Sequence, residues 1–108
     1  MPANTKRGTN HIQAMRRHRG LLQKQLAVLL GHRSHRCISH YERGTAFPTF
    51  EAALLLEIAL GARLAELYPV LYQQLQALVL KRAQLLPLHI RRSLTARLLH
   101  EDPPYEHT

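Results

Sequence analysis

Several residue types and segments that mark particular classes of protein are scarce or missing from this sequence. Cys37 is the only cysteine, so no disulfide can form within the chain, which favours a reducing compartment such as the cytoplasm. The opening residues, MPANTKRGTNH, contain no apolar stretch and are not expected to act as a secretory signal. The longest apolar segment, Ala52 to Leu60, contains Glu57 and is too short to span a membrane. Tryptophan, a usual anchor for membrane adsorption, is absent.

Acidic residues are scarce in the first half of the chain. Residues 1–50 contain nine lysines and arginines but a single acid, Glu42, whereas residues 51–108 contain six basic and six acidic residues. The whole net charge of +8 therefore originates in the first half. A basic surface of this strength suits a polyanion such as DNA, RNA or an anionic membrane face.

Hydrophobic spacing predicts helices throughout the chain, and no alternating strand pattern occurs. The predicted helices cover residues 11–19, 22–30, 34–43, 50–60, 63–68, 70–86 and 88–99. Gly31 is expected to end the second helix with a positive φ, Ser34 to cap the third and Thr49 to cap the fourth. The predicted fold class is therefore all-α, with a fourth helix that carries Phe50, Leu54 and Ile58 on one face.

The second and third helices meet the physical requirements of a helix-turn-helix unit. Ala27 is a small residue that lets the two helices approach closely, and Gly31 suits the tight turn between them. In the third helix Ile38 and Tyr41 are expected to point inward, and Cys37 partly inward. The opposite face is polar and consists of His35, Arg36, Ser39, His40 and Arg43.

The order of these motifs resembles that of Xre-type regulators, the lambda-repressor-like family. The resemblance is carried by Arg16…Gly20-Leu21, Gln23-x-x-Leu26-Ala27-x-x-Leu30-Gly31, Ile38-Ser39-x-Tyr41-Glu42-Arg43-Gly44 and Pro48. It spans about residues 12–68, and the combined order and spacing are specific although each short piece alone is weak. It implies a five-helix domain over residues 11–68, with the helix Ser34–Arg43 in the major groove of DNA.

The resemblance also implies roles for individual residues. Gln23 would bond a DNA phosphate and brace the recognition helix, and Arg16 would pair with Glu42 as a structural ion pair. Arg36 is expected to read a base, because arginine bonds guanine bidentately, and Arg43 to contact the phosphate backbone. The full set of expected DNA-binding residues is Gln23, Lys24, Arg33, Ser34, His35, Arg36, Ser39, His40, Arg43 and Thr45.

Two features depart from the family pattern. Leu22 stands where a capping serine or threonine is usual, so the start of the second helix is weakly capped. The stretch between Gly31 and Ile38 is one residue longer than in the commonest pattern, so the assigned base contacts can shift by one position.

Metal-binding and catalytic interpretations find little support. His32, His35, Cys37 and His40 lie close in sequence, but no second pair of ligands closes a tetrahedral site, so no metal or other cofactor is expected. The sequence shows no acid and no oxyanion-stabilising group that would allow Cys37 to act as a catalytic nucleophile, so we predict no enzymatic activity.

The remaining segments complete the expected organisation. Residues 1–10 are predicted to form a disordered basic arm, residues 69–100 two C-terminal helices and residues 101–108 a disordered tail. The leucine-rich helices are expected to form a homodimer, because the first five helices show no obvious surplus apolar face. The predicted function is sequence-specific binding of double-stranded DNA that represses transcription. The alternatives are an antitoxin or interaction module whose C-terminal helices bind a partner protein and, less favoured, an RNA-binding role.

Overall fold

A computed structural model of the protein describes residues 8–100, without the side chain of His100. Contacts divide the chain into two units, Met1–Tyr72 and Gln73–Thr108, and each is described here by itself. Most of the expected basic arm and all of the expected tail lie outside the described residues.

Every regular element in residues 8–100 is helical, which confirms the predicted all-α class. The elements are α1 (Ile12–His18), α2 (Gln23–Leu29), α3 (Arg36–Arg43), α4 (Phe50–Leu60), α5 (Leu64–Leu67), α6 (Pro69–Arg82), a 3-10 turn (Ala83–Leu85) and α7 (Leu88–His100). The predicted boundaries agree within two residues except at the end of α6. Leu86 is extended because it precedes Pro87, so the chain tightens into the 3-10 turn before it leaves the helix.

The core of the first unit draws on each of its first five helices. Its fully buried side chains are Ile12, Leu26, Ile38, Leu56, Leu60 and Leu67. Ala27 is buried on α2, and Tyr41 points inward from α3 beside Ile38, as predicted. Burial of these apolar side chains holds α3 against α1 and α2 and leaves its other face free.

The apolar face of α4 that the spacing singled out lies in solvent. Phe50 is 78% exposed and Ile58 77% exposed, whereas α4 buries Ala52, Leu56 and Leu60. The helix is apolar on nearly every side, so periodicity alone does not identify the face that meets the core. The expectation that the first five helices leave no surplus apolar face is therefore wrong. The expectation that Cys37 on α3 faces partly inward is also wrong, because Cys37 is exposed.

The turn before α3 differs from the prediction, whereas the cap of α4 agrees with it. α3 begins at Arg36 rather than Ser34, and the Ser34 hydroxyl accepts from the Arg36 N–H at 3.1 Å. Ser34 thus closes a local turn, because His35 already has helical dihedral angles and occupies the capping position. The predicted cap of α4 is confirmed, since Thr49 Oγ1 accepts from Ala52 N–H at 3.2 Å. Gly31 has a φ of 74°, as predicted.

The second unit has little buried apolar surface of its own. Among its described residues only Ala83 is buried, although the Gln76 amide donates to the Leu98 carbonyl at 3.3 Å. Its exposed large apolar residues are Leu75, Leu78, Val79, Leu85, Leu86, Leu88, Ile90 and Leu99. Even so, none of the helices in residues 8–100 combines the length and apolar character needed to cross a membrane.

Two buried tyrosines of the first unit differ in how their hydroxyls are satisfied. The Tyr41 hydroxyl lies 3.1 Å from His32 Nε2 and shares a hydrogen bond with it. The buried Tyr68 hydroxyl has no hydrogen-bond partner among residues 8–100. Burial, with Tyr41 as a smaller cause, raises the pKa of Tyr68 to about 12. Burial, and then Cys37, also raises the pKa of Tyr41.

Phenylalanine should therefore have opposite effects at these two positions. We expect Tyr68→Phe to raise the free energy of unfolding at pH 7 by about 1–2 kcal/mol, because it removes an unsatisfied buried hydroxyl. Tyr41→Phe should lower that free energy by about 1 kcal/mol, because it removes a satisfied one. Urea unfolding followed by circular dichroism measures both, and equal destabilisation by the two variants would contradict the assignment.

The raised pKa of Tyr68 predicts that the stability of the protein depends on pH in the alkaline range. The pKa of Tyr68 is 10.0 in the unfolded chain and about 12 in the folded one, so the phenol ionises more readily in the unfolded chain. The free energy of unfolding is therefore unaffected by this group below pH 10 and falls as the pH rises from 10 through 12. The free energy of unfolding of the parent, measured by urea unfolding, should therefore fall between about pH 10 and 12, and that of Tyr68→Phe should fall less.

Candidate nucleic-acid interface

The carboxylate of Glu42, near the end of α3, joins three helices. Arg16 on α1 donates to it from Nε at 2.5 Å and from Nη2 at 3.3 Å, and Gln23 at the start of α2 donates from Nε2 at 3.0 Å. The side chains of Arg16 and Glu42 are only 8% and 3% exposed. Arg16 Nη1 also donates to the Leu21 carbonyl at 2.8 Å. These charged hydrogen bonds fix the orientation of α3 relative to α1 and α2.

Tyr41 supplies a second brace on the inner side of α3. Its ring meets that of His32 edge to face, with centroids 5.8 Å apart, in addition to the bond between the two side chains. Its carbonyl accepts from Asn10 Nδ2 at 2.8 Å. Sequence reasoning missed both partners. Asn10 Oδ1 also accepts from the Ile12 N–H, which forms a local turn of the kind that asparagine favours. No local pattern indicates the bonds of Asn10 and His32 to Tyr41, because the three residues are far apart in sequence.

The outer face of α3 is polar and basic. Arg36, His40 and Arg43 are exposed, and Ser39 is half-buried beside them. Their spacing of three and four residues places all four on one side of the helix, opposite the buried residues. Because the inner face is fixed, this row of donors has a defined position on the surface.

The C-terminal end of this face is ordered by its own hydrogen bonds. His40 Nδ1 lies 3.0 Å from Thr45 Oγ1 and 3.4 Å from an Arg43 guanidinium nitrogen. These two contacts hold the His40 ring between Thr45 and Arg43. Thr45 also donates to the His40 carbonyl, from its N–H at 3.1 Å and from its hydroxyl at 3.3 Å.

The other expected DNA-binding residues surround this face to different degrees. Gln23 is half-buried and its amide nitrogen donates to the Glu42 carboxylate, so it stabilises the orientation of α3 relative to α2. The remaining four are exposed in α2 and in the turn before α3, namely Lys24, Arg33, Ser34 and His35. Residues 8–100 contain no group of three or more histidine, cysteine, aspartate or glutamate side chains arranged to hold a metal ion.

The family model described as Helix-turn-helix matches residues 12–67, which is more than half of the chain. The chain belongs to the Xre-type, lambda-repressor-like helix-turn-helix family. Members are DNA-binding transcription regulators and are typically not enzymes. Neither the curated proteins nor the solved structures yielded a match. In this Xre-type domain α2 and α3 form the helix-turn-helix, and the match runs from the start of α1 to the end of α5.

The buried cluster of Arg16, Gln23 and Glu42 in the Xre-type domain leads to a stability prediction. Glu42→Ala removes a negative charge from a basic surface but leaves Arg16 buried without its partner, so the free energy of unfolding should fall by about 3–5 kcal/mol. Glu42→Gln keeps the shape and one hydrogen-bond acceptor and should lose less. Thermal unfolding of both variants tests the cluster. A Glu42→Ala protein that unfolds like the parent and binds DNA more tightly would show that Glu42 acts only as a surface charge.

Proposed function

We propose that the protein is a sequence-specific repressor of transcription that inserts α3 into the major groove of double-stranded DNA. The observation that carries the proposal is the exposed basic row on α3, on a helix whose inner face is held by Glu42 and Tyr41. The major groove is wide enough for such a helix and presents a different pattern of donors and acceptors for each base pair.

Different residues of the row suit base contacts and phosphate contacts. Arg36 begins α3 and is exposed, so its guanidinium suits bidentate bonding to O6 and N7 of guanine. Arg43 and Thr45 lie at the other end and suit phosphate contacts, because phosphates flank the groove. His40 lies exposed between these ends and can contact either target. The proposal also assigns Gln23, Lys24, Arg33, Ser34, His35 and Ser39 to the interface.

Repression of transcription is the regulatory outcome that a DNA-binding surface alone can produce. A protein bound at a promoter excludes RNA polymerase by occupying the same DNA, which needs only the interface described above. Activation would need a second surface that contacts the polymerase. A reporter gene with the selected binding site inside its promoter distinguishes the two, since expression should fall when the protein is supplied.

The second unit favours a homodimer as the binding species. Its exposed apolar residues, including Leu75 and Val79, form more apolar surface than a lone unit would leave in water. One recognition helix covers too few base pairs for selectivity in a genome, and a twofold dimer reads two half-sites about one helical turn apart. The same apolar surface also suits a different protein, as in an antitoxin, so the second candidate is a heteromeric complex. Co-purification with a stoichiometric partner would favour it over the homodimer.

Arginine variants separate base reading from phosphate binding. Arg36→Ala should weaken binding by about 1–3 kcal/mol at the selected site and relax the preference at one base pair in each half-site. Arg43→Ala should weaken binding to selected and scrambled duplexes about equally. Selection of bound sequences from a random duplex library, followed by titration, measures both effects. Uniform weakening by Arg36→Ala would mean that the base contacts are shifted by one residue.

Two matched double variants locate the dimer surface. We expect Leu75→Gln with Val79→Gln to weaken dimerisation about 100-fold or more, because apolar burial is lost in both copies. Phe50→Gln with Ile58→Gln changes the exposed apolar face of α4 without altering the charge and should leave the dimer intact. Sedimentation over a range of concentrations measures both. The reverse result would place the dimer contact on α4, and a monomeric parent at tens of micromolar would contradict the homodimer.

A further inference from the structure

The first unit contains an apolar cavity beside the loop that joins α3 to α4. Its volume is about 210 Å³, and its walls come from that loop, from α4 and α5 and from the start of α6. Five of the seven lining side chains, among them Phe47 and Leu71, contain only carbon and hydrogen, and the other two are Tyr68 and Tyr72. Phe47 and Tyr72 are exposed, so the cavity is accessible from solvent.

Tyr68 brings to this cavity a hydroxyl group that the protein leaves unsatisfied. The residue is 7% exposed, and its buried hydroxyl has no hydrogen-bond partner among residues 8–100. Its ring packs against that of Phe47, with centroids 5.8 Å apart and the planes tilted by 51°, so the loop and Tyr68 hold each other in place. A buried hydroxyl without a partner destabilises the folded state, and a partner from outside the chain would remove that cost.

An organic molecule suits this hydroxyl better than water does. A buried water usually makes about two to four hydrogen bonds, and the lining side chains offer no polar atoms other than the two tyrosine hydroxyls. A mainly apolar molecule with a single polar atom would fill the cavity and satisfy Tyr68 at the same time. Because an apolar cavity of about 150 Å³ binds benzene, the volume here accommodates a benzene ring with a small substituent.

We propose that this cavity binds a small, uncharged aromatic molecule whose one polar atom accepts a hydrogen bond from the Tyr68 hydroxyl. An aromatic ring suits the walls, because Phe47, Tyr68 and Tyr72 offer ring faces and edges for offset or edge-to-face contacts. A charged ligand does not suit them, because no charged residue lines the cavity to pair with it. The inference goes beyond the proposed function, since it concerns a ligand other than DNA and its test involves no DNA.

Two probe molecules of similar shape test the proposed hydrogen bond on the full-length protein. Acetophenone has a carbonyl oxygen where isopropylbenzene has a methyl group, so only acetophenone can accept from Tyr68. The chain has two phenylalanines, of which Phe47 lines the cavity and Phe50 lies on the exposed face of α4. NMR of the phenylalanine rings therefore separates binding in the cavity from adsorption to apolar surface. We expect both probes to shift the Phe47 signals saturably and to leave those of Phe50 in place.

The two lining tyrosines supply a matched pair of variants. Tyr68→Phe should weaken acetophenone binding about tenfold and leave isopropylbenzene binding unchanged, so the ratio of the two affinities should fall about tenfold. Tyr72→Phe removes the same group from an exposed residue and should leave that ratio as it is in the parent. An unchanged ratio in Tyr68→Phe, an equal change in both variants, or the absence of a saturable Phe47 shift with either probe would overturn the inference.

A larger side chain in the cavity wall tests the location of the site. Ala53→Leu fills part of the cavity and should abolish the binding of both probes, whereas Ala77→Leu makes the same change at an exposed position of α6 and should leave binding intact. Retained binding in Ala53→Leu would overturn the inference. So would a loss of dimers in that variant by sedimentation, which would assign the cavity to a second copy of the chain. If Ala53→Leu does not fold, the tyrosine pair still decides the proposal.

Discussion

The first unit depends on one buried carboxylate. Glu42 is the only acid in a half of the chain that carries nine basic residues, and its side chain is almost completely withdrawn from water. A buried charge is costly unless it is paired and hydrogen-bonded, and Arg16 and Gln23 supply both conditions from two other helices. The arrangement therefore fixes the relative orientation of α1, α2 and α3, because the charge is paired and hydrogen-bonded only in that orientation.

The outer face of α3 benefits from this restriction. Side chains that read bases must be held within a fraction of an ångström of their productive positions, which a helix held by hydrophobic contacts alone defines less well. Ile38 fills the core while Glu42 and Tyr41 fix the helix about its axis. The row of Arg36, His40 and Arg43 can then remain exposed and polar, since it carries none of the packing.

Much of the fold followed from the sequence because helix ends and buried stripes have local causes. Gly31 adopts the positive φ that its position requires, Thr49 caps α4, and Ala27 and Ile38 pack where the helix-turn-helix pattern places them. α4 could not be oriented in this way, because Phe50 and Ile58 are as apolar as the residues that it buries. The inward face of such a helix is selected by the shape of the core, which no local pattern encodes.

The site was predictable to the extent that the family pattern contained it. The pairing of Arg16 with Glu42 came from that pattern and the polar face of α3 from helical spacing, whereas the start of α3 was placed two residues early because Ser34 can cap a turn as well as a helix. The contacts of His32 and Asn10 with Tyr41 connect residues through space, across nine and thirty-one positions. They depend on how the helices pack, so they become visible only in three dimensions.

Gly8, buried just before α1, lies against Gly44 at the end of α3, and this contact closes a large loop in the chain. It closes a chain segment that contains α1, α2 and α3, so its formation must overcome the loop-closure entropy of more than thirty residues. Closing so large a loop costs more conformational entropy than any contact within one helix. The geometry of the last turn of α3 therefore depends on the packing of the helices between Gly8 and Gly44 as well as on its own hydrogen bonds.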